Sequence, residues 1–593
     1  MNKSVFSVAL AHYVKSNLQG IKHRLQRWRW YRPFHLAYTG WRARHGGLPD
    51  WALLLKYNQS QWQRIQEKLS TSRERVLVAT GTAGHLPSMT VESLLGVALS
   101  VRGAAVDFLL CDGALPACMM CEINWYSDVV TFGTKGPSDR CQSCYRPAAG
   151  MLEDSAIPHV GIGTQLSQNE RKQARSLAMT ILHHEIRGFA IDGVPIGEHA
   201  MAGALRFFAR GDLEAEPKAE AVLRRYFEAA LLTYYACHRL LAGGHYKVVV
   251  LNHGIYVPQG VIAETARRLG VRVVTWHPAY RRGCFIFNHD ETYHHGLMNE
   301  PVSAWEGMRW DKWHREQIER YLKSRWVGRN DWVKFQREPK FDIEAIKKET
   351  GIDFSRPTVG LLTNVVWDAQ LHYKANAFPG MLDWLSKTIA YFEKRTDLQL
   401  LIRVHPAELT GTLPSRQPAV AEIKRAFPQL PSNVFIIPPE SRLSTYVAMS
   451  QCNAVLIYGT KTGVELTASG IPVIVAGEAW IRGKGVTLDA ESEIDYLRLL
   501  DSLPLPAGLD EPTRDRALKY AYHFFFRRMI PLASVRERKG WPPFEVSING
   551  LHDLVPGKSL GLDVICDGIL SGTPFIYPAE EQFDATTLED SAA

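Results

Sequence analysis

Three stretches, "YKVVVLNHG" (246–254), "LQLLIRVHP" (398–406) and "NAVLIYGTKTG" (453–463), are short, continuously apolar runs that stop in polar, glycine- or proline-marked turns. Such runs are strands buried on both faces, a condition met by parallel sheets covered with helices. The pattern recurs in two series. The first has strands at 73–80, 104–111, 246–254 and 271–278, with helical patterns at 91–101 and 259–269. The second runs from "TVGLLTNV" (358–365) through strands at 398–406, 433–439 and 453–458 to "IPVIV", with helices near 380–395, 418–427 and 443–450. Strands alternating with helices predict an α/β chain of two doubly wound units, with ligands held where the units face each other. The expected organisation is a leader over 1–72, a first unit over 73–350, a second unit over 351–510 (opening on "GIDFSRP"), a helical extension over 511–578 and a disordered acidic tail over 579–593.

A length of 593 residues requires several domains. No uncharged apolar run approaches a bilayer span and "VFSVALA" lacks a cleavage pattern, so a cytoplasmic location is expected. The net charge of +8 sits in one place. Residues 1–50 hold nine of the 69 Lys/Arg and one of the 61 acids, leaving 60 of each elsewhere. Interleaved with Trp28, Trp30, Tyr31, Phe34 and Trp41, this leader suits an anionic membrane face; a helix packed on its own domain is the alternative. A neutral body argues against nucleic acid.

Residues 112–150 read as an irregular insert. Within it "CMMC" (Cys118, Cys121) and "CQSC" (Cys141, Cys144) are separated by nineteen residues, the spacing of a four-thiolate zinc site, with an iron–sulfur cluster the rival. Four protein ligands would make such a site structural.

Polar side chains at strand ends supply the candidate chemistry. His253 ends a parallel strand and is a candidate general base for a sugar hydroxyl, with a hydrogen-bonded core histidine as the plainer reading. His85 follows the first strand. "WHPAYRRGCFIFNHDETYHH" (276–295) adds His277, His289, Asp290 and His294, whose spacing fits no compact metal set and suits substrate contact in the cleft. In the second unit Arg403 and His405 end a strand. The turn carrying Thr460, Lys461, Thr462 and Gly463 offers hydroxyls and backbone N–H groups to phosphate, and "RGKG" adds Arg482 and Lys484. Glu465, beside that turn, is either a helix-start acid favoured by the macrodipole or an acceptor for ribose or sugar hydroxyls.

"RVHPAEL" followed by "MSQCNAVLIYGTKTGVELTASGIPVIVAGEAWIRGKGVT" resembles the capsule polysaccharide biosynthesis family, bacterial proteins related to the Kdo transferases of capsule export; the match is clearest over 358–490. "NHGIYVPQG" and "FNHDETYHH" look like segments of its divergent members, whereas the leader and cysteine insert lie outside the pattern. The resemblance implies a GT-B glycosyltransferase: two Rossmann-like domains, with donor nucleotide on the C-terminal one, contacted by Glu465 and lined by "RVHP". It implies a nucleotide sugar (CMP-, UDP- or GDP-linked) as donor and a surface polysaccharide or glycolipid as acceptor. Arg403, Lys461, Arg482 and Lys484 could then stabilise the leaving nucleotide without a metal, with His253, or in competition His405, as base. The alternatives are a transferase of a CDP- or CMP-activated group such as glycerol phosphate, and a non-catalytic scaffold of a polysaccharide assembly complex. A UDP-sugar epimerase shares the fold, but no second carboxylate is placed for proton abstraction.

Overall fold

The computed structural model describes residues 47–72, 75–326, 331–332, 339–369, 375–411, 413–506 and 508–582. The basic leader up to residue 46, and with it the expected membrane contact, lies outside the described residues, as does the acidic tail beyond 582. Among the described residues no helix is long and apolar enough to cross a membrane.

The first sheet has seven strands: β1 (Arg75–Gly81), β2 (Ala105–Leu110), β3 (His159–Gly161), β4 (Tyr246–Asn252), β5 (Arg272–Pro278), β6 (Cys284–His289) and, from far along the chain, β13 (Ile530–Pro531). Its order is β13-β6-β5-β4-β1-β2-β3. Strands β1 to β5 are parallel, whereas β6 runs antiparallel to β5. The second sheet contains β7 (Thr358–Leu362), β8 (Gln399–Arg403), β9 (Val434–Ile437), β10 (Ala454–Ile457), β11 (Val473–Val475) and β12 (Leu488–Asp489), all parallel, ordered β12-β11-β10-β7-β8-β9. Both sheets thus reverse winding direction once, between β1 and β4 and between β7 and β10. The crevice outside the carboxyl ends of those strand pairs is where such sheets hold ligands. Every residue of β2, β7, β8 and β10 is buried, as their continuous apolar sequences require.

The helices used below are α1 (Leu86–Val101), α2 (Val129–Lys135), α3 (Ser138–Asp154), α4 (Gln168–Thr180), α5 (Ala219–Ala242), α6 (Gln259–Arg268), α7 (Tyr293–Met298), α8 (Lys312–Trp326), α9 (Thr462–Ala468), α10 (Glu511–Tyr522) and α11 (Leu560–Ser571). Helix α1 is buried along nearly its whole length, because the chain beyond the second sheet comes back to cover it. Helix α10 packs on α8 and α9, then β13 pairs with β6, and α11 lies against α1, β4 and β13. Arg102, at the end of α1, pairs with Asp563 of α11 and donates to the Leu554 carbonyl. The extension expected to be helical therefore also carries β13 and a small hairpin, Val535–Glu537 with Phe544–Val546. At its end Ala579–Glu581 forms a 3-10 turn in which Glu580 pairs with Arg527 at 3.0 Å. Residues 47–72 are folded onto the first unit: Trp51 and Trp62 are buried, and Trp62 Nε1 donates to the Ser155 carbonyl at 2.7 Å.

The cysteine-bearing segment differs most from expectation. Residues 112–150 are not an irregular insert; they contain α2 and most of α3. The expected zinc site of Cys118, Cys121, Cys141 and Cys144 is corrected: among the described residues no group of three or more His, Cys, Asp or Glu is arranged to hold a metal ion. The physical reason is local. Cys141 and Cys144 sit three apart on a continuous helix, not on a knuckle turn. Cys144 Sγ fills the space beside Gly84, lying 2.7 Å from where a β-carbon there would be, and Cys121 is buried in the core under α5. Burial is the largest cause raising the Cys121 and Cys144 thiols, with neighbouring cysteines adding to it, whereas the hydrogen bond with Cys121 lowers Cys118.

Candidate functional site

The carboxyl ends of the two sheets face each other. Tyr280, just after β5, stacks under the Lys461 ammonium at 4.7 Å from its ring centre. Tyr256, after β4, donates to Asp368 (3.0 Å) and accepts from the Ala369 N–H (3.0 Å), both in the chain after β7. His295 of α7 bonds to Glu478 Oε2 (3.0 Å), after β11, and Lys484 Nζ donates to the Met298 and Glu300 carbonyls (2.9 and 2.6 Å). Arg325 of α8 reaches Glu465 of α9 at 3.2 Å.

On the first sheet's edge the turn after β4 puts both His253 (φ +69°) and Gly254 (φ +81°) in the left-handed region. That conformation is uncommon for a residue with a β-carbon, and it stands where the topology predicts a ligand. The His253 ring stacks on Tyr256 (5.2 Å) and lies 4.7 Å from Tyr293 and 5.5 Å from His277. His277 stacks in turn on Tyr293 at 4.6 Å. His253 Nδ1 is buried without a hydrogen-bond partner. Burial, together with His277 and Arg206, holds the His253 imidazole well below its usual range; burial and Arg206 lower His85 to about 4. These rings are neutral at ordinary pH. His277 Nδ1 lies 2.7 Å from the Pro278 carbonyl, which can only accept, so Nδ1 carries the proton and Nε2 is a lone-pair acceptor. His294 Nε2 likewise donates to the Glu478 carbonyl at 3.2 Å, and burial lowers this ring to about 4.

Two residues expected beside these lie elsewhere. His289 and Asp290 do not reach this edge, because β6 runs antiparallel: His289 pairs with Val274, and Asp290 caps the start of β5 by accepting from the Val273 N–H at 2.8 Å. His289 instead stacks on Phe575 (4.4 Å) and donates to the Thr573 carbonyl (2.8 Å).

On the second sheet's edge, His405 Nδ1 accepts the Ala407 N–H at 3.0 Å. In the neutral ring, which burial and the nearby Lys461 and Arg403 hold at about 4, the proton is therefore on Nε2. His405 is a donor, not a base. The turn before α9 is shaped by Thr460, whose Oγ1 donates to Thr462 Oγ1 (3.2 Å) and accepts from the Thr462 N–H (3.3 Å). Gly463 is in the first turn of α9, packed against Ile457 and Ile481. Glu465, 2% exposed, has both carboxylate oxygens engaged: Oε1 by Arg325 and Lys461, Oε2 by Tyr446. Burial alone would raise this carboxyl; Arg325 and Lys461 overcome that and hold it near about 2.

Three expected phosphate ligands are engaged elsewhere. Arg403 is 1% exposed and its guanidinium donates to Thr445 (3.3 Å) and to the Pro438 and Ser441 carbonyls, the latter at 3.1 Å. Arg482 bonds to the Gly477 and Ala490 carbonyls (3.4 and 2.8 Å), and Lys484 staples the two units as described. Sequence reading missed Arg325, Tyr256, Asp368, Tyr280, Tyr293 and Glu478. Asp368 and Glu478 follow strand ends and could have been found by that rule; Arg325, in the middle of a charged helical stretch, carries no such signal.

Two doubly wound sheets, parallel except for the antiparallel edge of the first, joined with their carboxyl edges face to face, define an α/β protein of the GT-B kind. No family profile and no curated protein sequence matches the chain. Among solved structures it is similar to the KpsC beta Kdo 2,4 transferase of Thermosulfurimonas dismutans (15% identity, 48% of this chain and 83% of that one, TM-score 0.34). It is also similar to the beta Kdo 2,7 transferase of KpsC from that organism (13%, 52% and 84%, TM-score 0.28). A third is the UDP-GlcNAc 2-epimerase from Neisseria meningitidis (12%, 75% and 98%, TM-score 0.24). The strand orders, rather than these distant likenesses, define the fold.

Proposed function

We propose that the protein is a glycosyltransferase that moves a sugar from a nucleotide-sugar donor, held by the second sheet, to a hydroxyl of a surface polysaccharide or glycolipid held by the first. The observation that carries this reading is the division of proton roles across the facing edges. His405 carries its proton on Nε2 and the Lys461 ammonium is near enough to lower its pKa, while the Thr460 and Thr462 hydroxyls stand in the turn before α9; together they form a donor set suited to a leaving phosphate. Opposite, neutral His253 and His277 offer lone pairs. In transfer, the acceptor oxygen attacks the anomeric carbon, its proton passes to His253, and the bond to the nucleotide's phosphate oxygen breaks. The charge left on that oxygen is stabilised by Lys461 and His405. Glu465 then acts through Lys461 and Tyr446, which it holds, as a positioning residue. Arg403 shapes the pocket wall rather than gripping phosphate. Catalysis in this scheme requires no metal, and the likeness of the motifs favours a capsule-type product made at the inner face of a membrane.

The test is donor turnover: the full chain, incubated with CMP-, UDP- and GDP-sugars and a capsule-type oligosaccharide, should release nucleotide from one donor class only when acceptor is present. His253→Ala should reduce that release by about 10²–10⁴-fold. Acceptor-independent turnover, or an undiminished His253→Ala variant, would remove the reading.

A further inference from the structure

A hollow of about 400 Å³ opens where the chain leaves β2, walled by α2, α4 and α5. That size falls in the lower part of the range of small-ligand pockets, roughly 300–1,000 Å³. Its rim carries Lys135 from α2 and Arg171, Lys172 and Arg175 from α4, and among the described residues the acid lining it is Glu228 of α5. Glu228 already has a cation of its own: Arg225 approaches it at 3.3 Å. Burial raises its carboxyl while Arg225 and the rim's own Arg175 favour its charged form, so one shared carboxylate stands against four rim cations. Arg171 and Arg175 are four apart on one helix, an arrangement of like charges that weakens a helix, and Arg171 is held in place by donating to the Gly163 carbonyl at 2.6 Å. Leu115 and Leu232 give the hollow an apolar floor.

A second hollow, of about 660 Å³ between α4 and α5, lacks this imbalance: Arg239 pairs with Glu170 at 2.6 Å, and Tyr234 donates to Asp192.

We infer that the hollow rimmed by Lys135, Arg171, Lys172 and Arg175 binds a carboxylate-bearing oligosaccharide. Cations spread over two helices match charges repeated along a chain better than one compact dianion, and the apolar floor suits the C–H face of a sugar ring. A concave site also fits a glycan better than a planar bilayer. The inference deepens the glycosyltransferase reading by giving the acceptor's class, an acidic glycan gripped on the unit that carries His253.

Binding of trigalacturonic acid to the full chain, followed by calorimetry without any donor, tests it independently of transfer. Maltotriose and inorganic phosphate serve as comparators. Trigalacturonate should bind, weaken with added salt, and bind about tenfold or more weakly to a Lys172→Glu/Arg175→Glu variant that melts like the wild type. Lys135→Ser, on the other helix, should weaken it too, and provides an independent reading if the double variant fails to fold. No binding, equal binding of maltotriose, tighter binding of phosphate, or undiminished binding by folded variants would overturn the inference. If trigalacturonate binds but no nucleotide sugar is turned over, the glycosyltransferase reading fails and this site stands.

Discussion

Arg325 and Glu465, 140 positions apart in sequence, meet at 3.2 Å where α8 approaches α9, and both side chains are almost wholly buried. This pair, with Lys461, Tyr446 and Asp331 around it, makes the seating of α8 beside the second sheet depend on charge as well as on packing.

Glu465→Gln leaves two buried cations short of a counter-charge and should destabilise the fold by about 3–5 kcal/mol in urea denaturation. A change below about 1 kcal/mol would show that the cluster relaxes instead.

The same carboxylate sets an acid limit. Its folded pKa of about 2 lies below the ordinary 4.5, so its stabilisation is complete above about 4.5 and is lost as the pH falls toward about 2. The wild type should therefore lose stability more steeply with falling pH in that window than Glu465→Gln. Parallel curves would deny the assigned ionisation.

His253 and His277 are held neutral, so transfer should stay flat as the pH falls through 6.5 and decline only well below it. A pH–rate profile of kcat/KM with a limb at the ordinary histidine value would contradict the buried-base assignment.

Arg403→Lys removes the planar fork that ties the Pro438 and Ser441 carbonyls to Thr445, and should cost about 1–3 kcal/mol of stability while leaving the KM for donor nearly unchanged. A large rise in KM without loss of stability would restore a direct role in phosphate binding.

Much of this was legible in the sequence and some was not, for reasons the residues show. Strands such as Gln399–Arg403 are apolar throughout because both faces are covered, so their existence and ends were readable, and His253 and His405 followed from those ends. Direction was not readable: "CFIFNH" has the same apolar signature, but it runs antiparallel, which carries His289 and Asp290 to the opposite end of the sheet. Spacing misled with Cys141 and Cys144, since three-residue separation suits a helix face as well as a zinc knuckle. Pairings such as Arg325 with Glu465 arise only when distant elements meet, and no local pattern marks them.

The most direct test of the central claim is nucleotide binding at the edge of the second sheet, measured as a thermal shift of the full chain with CMP, CDP, UDP and GDP. At least one should raise Tm in a concentration-dependent way, because a ligand bound only to the folded state stabilises it. The shift should disappear in His405→Ala and persist in His253→Ala. No shift with any nucleotide, or a shift lost in His253→Ala and kept in His405→Ala, would contradict the account.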